Sequence, residues 1–179
     1  MANDKTYFYE PTIRQYGAYY DMYGYNSIVK LKGFDFWFRG RSEMLVLNSK
    51  NELFLELDPE KVYKIPGGSL KKNETHQEAA ERETMEESRI LVDNVIEVLS
   101  YAELREPSKW MIENIPEQYI WRGYYQKVFI SQFKQKYIGH IDEIDVDSQA
   151  ENGRFYNIKK VWEILKEPHK IALKNYLQS

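Results

Sequence analysis

Three glutamates on one short segment form the arrangement in this sequence that is most suited to chemistry. Glu83, Glu86 and Glu87 stand three and four residues apart, and on a helix they share an arc of about 120° with Ala79 and Ala80. Like charges at these spacings destabilise an exposed helix by about 0.2–0.5 kcal/mol per pair, and partial burial raises that cost. A divalent cation removes the repulsion, because Mg²⁺ prefers clustered carboxylate oxygens. The segment therefore predicts a metal site, with a solvated acidic helix face as the alternative.

The residues before the glutamates supply the elements that would position them. Thr75 and Glu78 form the T-x-x-E pattern of a capping box, which predicts a helix beginning near His76. The turn Pro66-Gly67-Gly68 and a polar loop come first, and the run 61–65 predicts a strand leading into that turn. The predicted order is therefore strand, glycine turn, loop and capped helix.

The spacing of residues 68–90 resembles the signature of the Nudix hydrolases, G-x5-E-x7-R-E-U-x-E-E-x-G-U, where U is an apolar residue. Gly68 takes the place of the first glycine, and the turn before it matches the P-G-G start that is common in the family. The remaining matched positions are Glu74, Arg82, Glu83, Glu86, Glu87 and Ile90. The resemblance is specific, because several spaced identities coincide.

Two positions depart from the signature. Thr84 stands where an apolar residue is expected, and Arg89 stands where the family has a glycine that ends the helix. A left-handed backbone costs a residue other than glycine about 1–2 kcal/mol. We expect Arg89 either to adopt that conformation or to let the helix continue, and neither departure removes a carboxylate.

The resemblance implies a fold, an activity and a set of roles. The fold is an α/β/α sandwich around a mixed β-sheet. The activity is metal-dependent hydrolysis of a nucleoside diphosphate linked to another moiety, with Mg²⁺ or Mn²⁺ as the metal. By position, the metal ligands are Glu83, Glu86, Glu87 and the carbonyl of Gly67, and Glu74 and Arg82 form a structural ion pair.

The general base is less well defined by the resemblance. Within the family it is a motif glutamate, here Glu86 or Glu87, or an acid from a later loop. The acidic segment 142–151 offers Glu143 and Glu151, and Glu143 is our prediction, with surface charge as the alternative. The histidines at positions 76, 140 and 169 are scattered, so we expect them to be surface or capping residues.

Composition limits the other function classes. The chain has 179 residues, a net charge of −3 and no cysteine, which excludes disulfides and thiolate metal sites. We expect a cytoplasmic protein that binds a small nucleotide substrate and neither a nucleic acid nor a membrane. Residues 1–26 are predicted to be a tyrosine-rich arm that covers the sheet, supports a homodimer or stacks on a substrate base, and residues 27–179 to be the Nudix domain.

The rest of the chain predicts a mixed sheet with helices. One or two strands bent near Gly33 and then a hairpin come before the motif, and two long strands with an irregular excursion at 104–118 follow it. Two helices separated by Pro168 close the chain. The hairpin is predicted at 43–57, the other strands at 27–39, 61–65, 92–103, 119–133 and 153–158, and the helices at 159–166 and 168–178.

Two further functions compete with hydrolysis. The same fold could sense nucleotides or bind a protein without turnover, because fold alone does not fix function. The intact carboxylates argue against this, since a site without catalytic activity has no need of a cluster of mutually repelling charges. An isoprenyl diphosphate isomerase on this fold is disfavoured, because that resemblance implies a catalytic cysteine and the chain has none.

Overall fold

The computed structural model describes residues 6–9, 13–21, 24–31, 34–57, 62–117, 120–136 and 153–178. Its strands are β1 (Thr6–Tyr9), β2 (Ile13–Asp21), β3 (Gly24–Leu31), β4 (Phe34–Leu47), β5 (Glu52–Leu57), β6 (Tyr63–Lys64), β7 (Gly67–Ser69), β8 (Ile90–Leu104), β9 (Gly123–Lys136) and β10 (Arg154–Asn157). Its helices are α1 (His76–Ser88), α2 (Lys109–Asn114), α3 (Ile158–Val161) and α4 (Glu167–Gln178), with a 3-10 turn at Trp162–Ile164.

A mixed sheet forms the centre of the molecule. Its main strand order is β1-β8-β9-β4-β3-β2. The central pair β4 and β9 is parallel, whereas β8 pairs with β9 and β3 with β4 in antiparallel register. The short strand β7, which contains the glycine turn, adds to β4. The turn is thereby hydrogen-bonded directly to the central strand.

Helices cover both faces of this sheet. On one face Met44 and Val46 pack in a cluster with Ala80 of α1. On the other face Leu45 and its neighbours pack with Leu173 of α4. Because successive strand residues point to opposite faces, the apolar run at the end of β4 fills both cores. The predicted α/β fold, with helices on both sides of a mixed sheet, is confirmed.

The N-terminal strands extend the sheet at both edges. β1 pairs with β8, and β2 and β3 form a hairpin beside β4. The described part of the tyrosine-rich segment thus lies within the sheet, and the boundary predicted between residues 26 and 27 falls inside β3. Strand β4 runs unbroken from Phe34 to Leu47, whereas the sequence suggested two separate strands. The division into an arm and a domain stays a prediction.

Three predictions after the motif need correction. The excursion at 104–118 contains α2, whose start is capped by the Ser108 hydroxyl accepting from the Met111 N–H. Helix α3 is only one turn and continues as the 3-10 turn, so it is shorter than predicted. Pro168 does not split the helices but sits in the first turn of α4, where its missing N–H costs nothing. The acidic segment 142–151 lies outside the described residues.

The two departures from the signature have local explanations. Arg89 adopts the left-handed conformation, with φ 55° and ψ 35°, and its N–H donates to the Met85 carbonyl. The helix therefore ends where a glycine would end it. Thr84 is fully buried, and its hydroxyl donates to the Ala80 carbonyl at 2.7 Å, so the polar group is satisfied inside the helix.

Among the helices that the structure describes, none has the length and apolar character needed to cross a lipid bilayer.

Candidate active site

The glycine turn is held between the central strand and helix α1. Gly67 lies opposite Glu43 and Gly68 opposite Ser42 in the register of β7 on β4. The Gly67 N–H donates to the Glu87 carboxylate at 2.8 Å. A Cβ on Gly67 would come within 2.4 Å of the Ser42 carbonyl, and one on Gly68 within 2.2 Å of the Glu83 carboxylate. Only glycine allows this close approach of strand, turn and helix.

Arg82 links the loop, the turn and the carboxylates. Its Nε and one terminal nitrogen donate to the two oxygens of Glu74 at 2.6 and 2.9 Å, and that same nitrogen donates to the Ser69 carbonyl. Its other terminal nitrogen donates to Glu83 at 2.7 Å and Glu86 at 2.8 Å. Burial alone would lower the pKa of Arg82, but the hydrogen bonds that it donates to Glu74 and Glu83 raise the pKa above its ordinary value. The guanidinium therefore stays charged and fixes the loop on the helix.

The three glutamates predicted to bind metal have different partners in the structure. Glu83 and Glu86 share one nitrogen of Arg82, and Glu86 also contacts the Lys71 ammonium at 3.3 Å. Glu87 contacts the turn instead. Across the described ranges, no three histidine or acidic side chains are arranged to enclose an ion. The donors nevertheless fit a hard divalent cation, because carboxylate and backbone carbonyl oxygens are the ligands that Mg²⁺ prefers.

A cleft of about 370 Å³ opens beside the glycine turn. Its polar lining is formed by Arg41, Glu43, Tyr63, Lys64, Gly67, Glu87, Lys166 and His169. The Arg41 guanidinium donates to the Gly67 carbonyl at 3.3 Å and lies 5.0 Å from the centre of the Tyr124 ring. A cationic group thus contacts the one backbone carbonyl that the resemblance assigns to the metal, while the carboxylate of Glu87 binds the N–H of the same residue.

Glu43 lies buried in the wall of this cleft, and sequence analysis did not identify it. Its carboxylate accepts from the Tyr101 hydroxyl at 3.0 Å and contacts His169 at 2.9 Å and Lys166 at 3.3 Å. Burial raises the pKa of Glu43, but the charges of His169 and Lys166 outweigh this and hold the pKa below its ordinary value. The available signal was a single acid at the start of the apolar run EMLVL.

We expected the histidines to be surface or capping residues, and His169 is neither. His169 is 3% exposed and bonded to Glu43. His76 begins α1, and its Nδ1 lies 2.9 Å from the Ser42 hydroxyl and 3.1 Å from the Arg41 carbonyl. Burial, and secondarily the charge of Lys127, lowers the pKa of His76 to about 4. His76 therefore joins the helix start to β4 as a neutral ring. His140 lies outside the described residues.

The predicted general bases in the acidic loop cannot be placed. Glu143 and Glu151 lie outside the described residues. The assignment of Glu143 as a catalytic residue therefore stays a prediction, while Glu86 and Glu87 are the motif acids whose positions are described.

The fold and the motif geometry define a class of protein. The model of the NUDIX domain matches residues 35–171, which is most of the chain. The chain belongs to the Nudix family. It is a pyrophosphohydrolase, an enzyme that uses water to cleave a pyrophosphate bond.

The chain is similar to particular proteins of known activity or structure. An RNA pyrophosphohydrolase of Afipia carboxidovorans is 28% identical over 127 residues, which span 65% of this chain and 72% of the relative. A solved pyrophosphohydrolase of Bacillus subtilis is 14% identical, covering 91% of this chain and 97% of its own, with a TM-score of 0.56. A Nudix hydrolase of Nitrosomonas europaea is also 14% identical, covering 79% and 89%, with a TM-score of 0.52. At these identities the structural likeness establishes the shared fold.

Proposed function

We propose that this enzyme uses Mg²⁺, or Mn²⁺ in its place, held by the carboxylates of Glu83, Glu86 and Glu87 and by the Gly67 carbonyl. The observation that supports this most is the tight joining of turn and helix, in which Glu87 accepts from the Gly67 N–H at 2.8 Å. Glu83 and Glu86 already converge on one cationic nitrogen of Arg82. When bound, the metal would neutralise the diphosphate and lower the pKa of the attacking water.

The protein's own residues supply the rest of the proposed mechanism. The Glu74–Arg82 pair holds the loop so that the turn and the helix keep their spacing. Arg41 and Lys166 offer positive charge to the phosphates from the wall of the cleft, where preorganised charges stabilise a developing anion. A carboxylate must accept the proton of the attacking water, and we assign this role to Glu86, Glu87 or Glu143.

The first substrate candidate is a nucleoside diphosphate conjugate of small size. A second candidate is the 5′ end of an RNA, which our sequence analysis did not expect. The relative from Afipia carboxidovorans is an RNA pyrophosphohydrolase. Moreover, Arg105 lies 4.8 Å from the Tyr124 ring on the side of the sheet that carries Arg41, and arginine-aromatic surfaces suit single-stranded nucleic acid.

A substrate panel separates these candidates. Purified protein is incubated with nucleoside diphosphate sugars, dinucleoside polyphosphates and a 5′-triphosphorylated RNA oligonucleotide, with and without Mg²⁺. Mass spectrometry in ¹⁸O-labelled water identifies the products and the phosphorus atom that receives the water oxygen. We expect hydrolysis that EDTA abolishes. Binding of substrates with no product under any divalent metal would instead favour the non-catalytic sensor.

Replacement of one proposed ligand tests the site. Glu87→Gln keeps the shape of the side chain but removes its charge, so we expect kcat to fall by at least about a hundredfold. Glu81→Gln is the matched control, because Glu81 is on the same helix and bonds only to Gln77 among the contacts described. Full activity in Glu87→Gln would refute the assignment.

The location and assembly state expected from the sequence also remain proposals. Fractionation of cells that express the tagged chain tests the cytoplasmic location. Light scattering of the purified protein over a range of concentrations tests the homodimer.

A further inference from the structure

Glu43 is a buried acid that the proposed chemistry does not use. It is 5% exposed, and the residues that follow it in β4, from Met44 to Leu47, are apolar and fully buried. A buried charge is costly unless it is paired, and an apolar residue of similar size is often at least as stable in its place. Stability alone therefore gives little reason for a carboxylate at this position.

The two oxygens of Glu43 have different partners. One oxygen contacts both the Tyr101 hydroxyl of β8 and the His169 ring of α4, and both of these residues are buried. The other oxygen lies 3.3 Å from the Lys166 ammonium, whose side chain is 38% exposed. Glu43 is thus fixed on its interior side and holds an accessible cation on the other.

The accessible side faces the catalytic cleft. Glu43 lies directly opposite Gly67 in the strand register, and Lys166 lines the same cleft as Gly67 and Glu87. Lys166 belongs to the turn before α4, and without an anchor its long side chain would sample many rotamers. The pairing with Glu43 restricts that freedom beside the proposed metal ligands.

We propose that Glu43 is a positioning residue that holds the Lys166 ammonium in the cleft as a binding group for the substrate's diphosphate. This rests on the proposed function, which places a diphosphate in that cleft. Lys166 contacts the anion directly, whereas Glu43 acts through Lys166. Preorganisation of the cation lowers the entropic cost of binding.

The test compares Lys166→Gln, Glu43→Gln and the double variant in steady-state hydrolysis of the best substrate. We expect each single variant to raise KM about tenfold with a smaller change in kcat. The double variant should be no worse than either single one, because both remove the same interaction. Additive losses, or a Glu43→Gln variant with altered Tm but unchanged KM, would overturn the proposal.

Two controls separate positioning from folding. Lys160→Gln removes an equal charge from an exposed position outside the cleft, so KM should not change. Tyr101→Phe weakens the buried side of the network but leaves the pair of Glu43 and Lys166 intact, so Tm should fall while KM is retained. A KM increase in Tyr101→Phe equal to that in Lys166→Gln would show that general loosening is the cause.

Calorimetric binding of inorganic pyrophosphate in the presence of Mg²⁺ gives a readout that does not depend on turnover. We expect Lys166→Gln and Glu43→Gln to weaken pyrophosphate binding about tenfold relative to wild type. If wild type hydrolyses the panel but both variants bind pyrophosphate normally, the positioning role of Glu43 is wrong and the proposed function is unaffected. If no substrate is hydrolysed but the variants still weaken binding, the proposed function fails and the positioning role stands. Wild type that binds no pyrophosphate overturns the positioning role.

Discussion

At the scale of single residues, the positive charge of Arg82 offsets the negative charges of the motif glutamates. One of its nitrogens contacts both Glu83 and Glu86, and the rest of the guanidinium is bound to Glu74 and Ser69. This explains how the helix tolerates like charges three residues apart. A metal that binds Glu83 and Glu86 must compete with Arg82 for their oxygens, so metal affinity depends on how readily that one nitrogen is released.

His76 should make stability depend on pH. The His76 ring is neutral in both the folded and the unfolded protein above its ordinary pKa of about 6.5. In the folded protein the ring takes a proton only near its lowered pKa of about 4. As pH falls between these values, only the unfolded chain binds the proton, so stability is lost by up to about 3 kcal/mol.

Urea unfolding at pH 7 and pH 4.5 measures this loss. The His76→Asn variant offers an amide N–H in place of Nδ1 and has no titratable ring, so its free energy of unfolding should change less over the same interval. Equal pH dependence in the two proteins would contradict the prediction. Carboxylates contribute to both proteins, and the comparison removes their share.

At the scale of elements, the end of α1 carries a conformational cost. Arg89 has φ 55°, where a side chain costs about 1–2 kcal/mol relative to glycine. We expect Arg89→Gly to raise the free energy of unfolding by about 1 kcal/mol in urea titrations. Arg89→Ala keeps the Cβ and should give no such gain. A gain of equal size in both variants would assign the effect to the lost charge.

The two glycines of the turn should fail in different ways when replaced by alanine. A Cβ on Gly67 meets the backbone carbonyl of Ser42 at 2.4 Å, whereas one on Gly68 meets the movable end of Glu83 at 2.2 Å. Gly67→Ala should therefore lower the free energy of unfolding by about 1–3 kcal/mol. Gly68→Ala should retain most of its stability but displace the Glu83 carboxylate, lowering kcat about tenfold or more.

Circular dichroism melts and steady-state kinetics on the two variants distinguish these outcomes. If Gly68→Ala retains wild-type kcat, the position of Glu83 against the turn has no catalytic importance. If Gly67→Ala retains wild-type stability, the pairing of β7 with β4 adjusts more easily than the close contacts indicate.

At the scale of the whole molecule, metal binding should stabilise the fold. A ligand that binds only the folded state at a hundred times its Kd adds about 2.7 kcal/mol to the free energy of unfolding. We expect Mg²⁺ to raise the Tm of wild type and of Glu81→Gln, and to raise it far less in Glu86→Gln. Scanning calorimetry at several Mg²⁺ concentrations measures this, and an equal increase in Glu86→Gln would remove that residue from the metal site.

The sequence by itself determined the motif, its helix and the class of fold. These follow from short-range rules: the capping box of Thr75 and Glu78 and the helical spacing of the glutamates depend on neighbours in the chain. The sequence also indicated backbone strain at Arg89, because this residue stands where the family has a glycine, which adopts the left-handed conformation at little cost.

Only the tertiary structure decided how distant segments complete the cleft. Glu43 and Lys166 are 123 residues apart in the chain and 3.3 Å apart in space, and no local pattern records that pairing. The place of the N-terminal strands at the sheet edges and the burial of His169 likewise depend on long-range register. Such contacts arise from packing of whole elements, which periodicity and propensity do not specify.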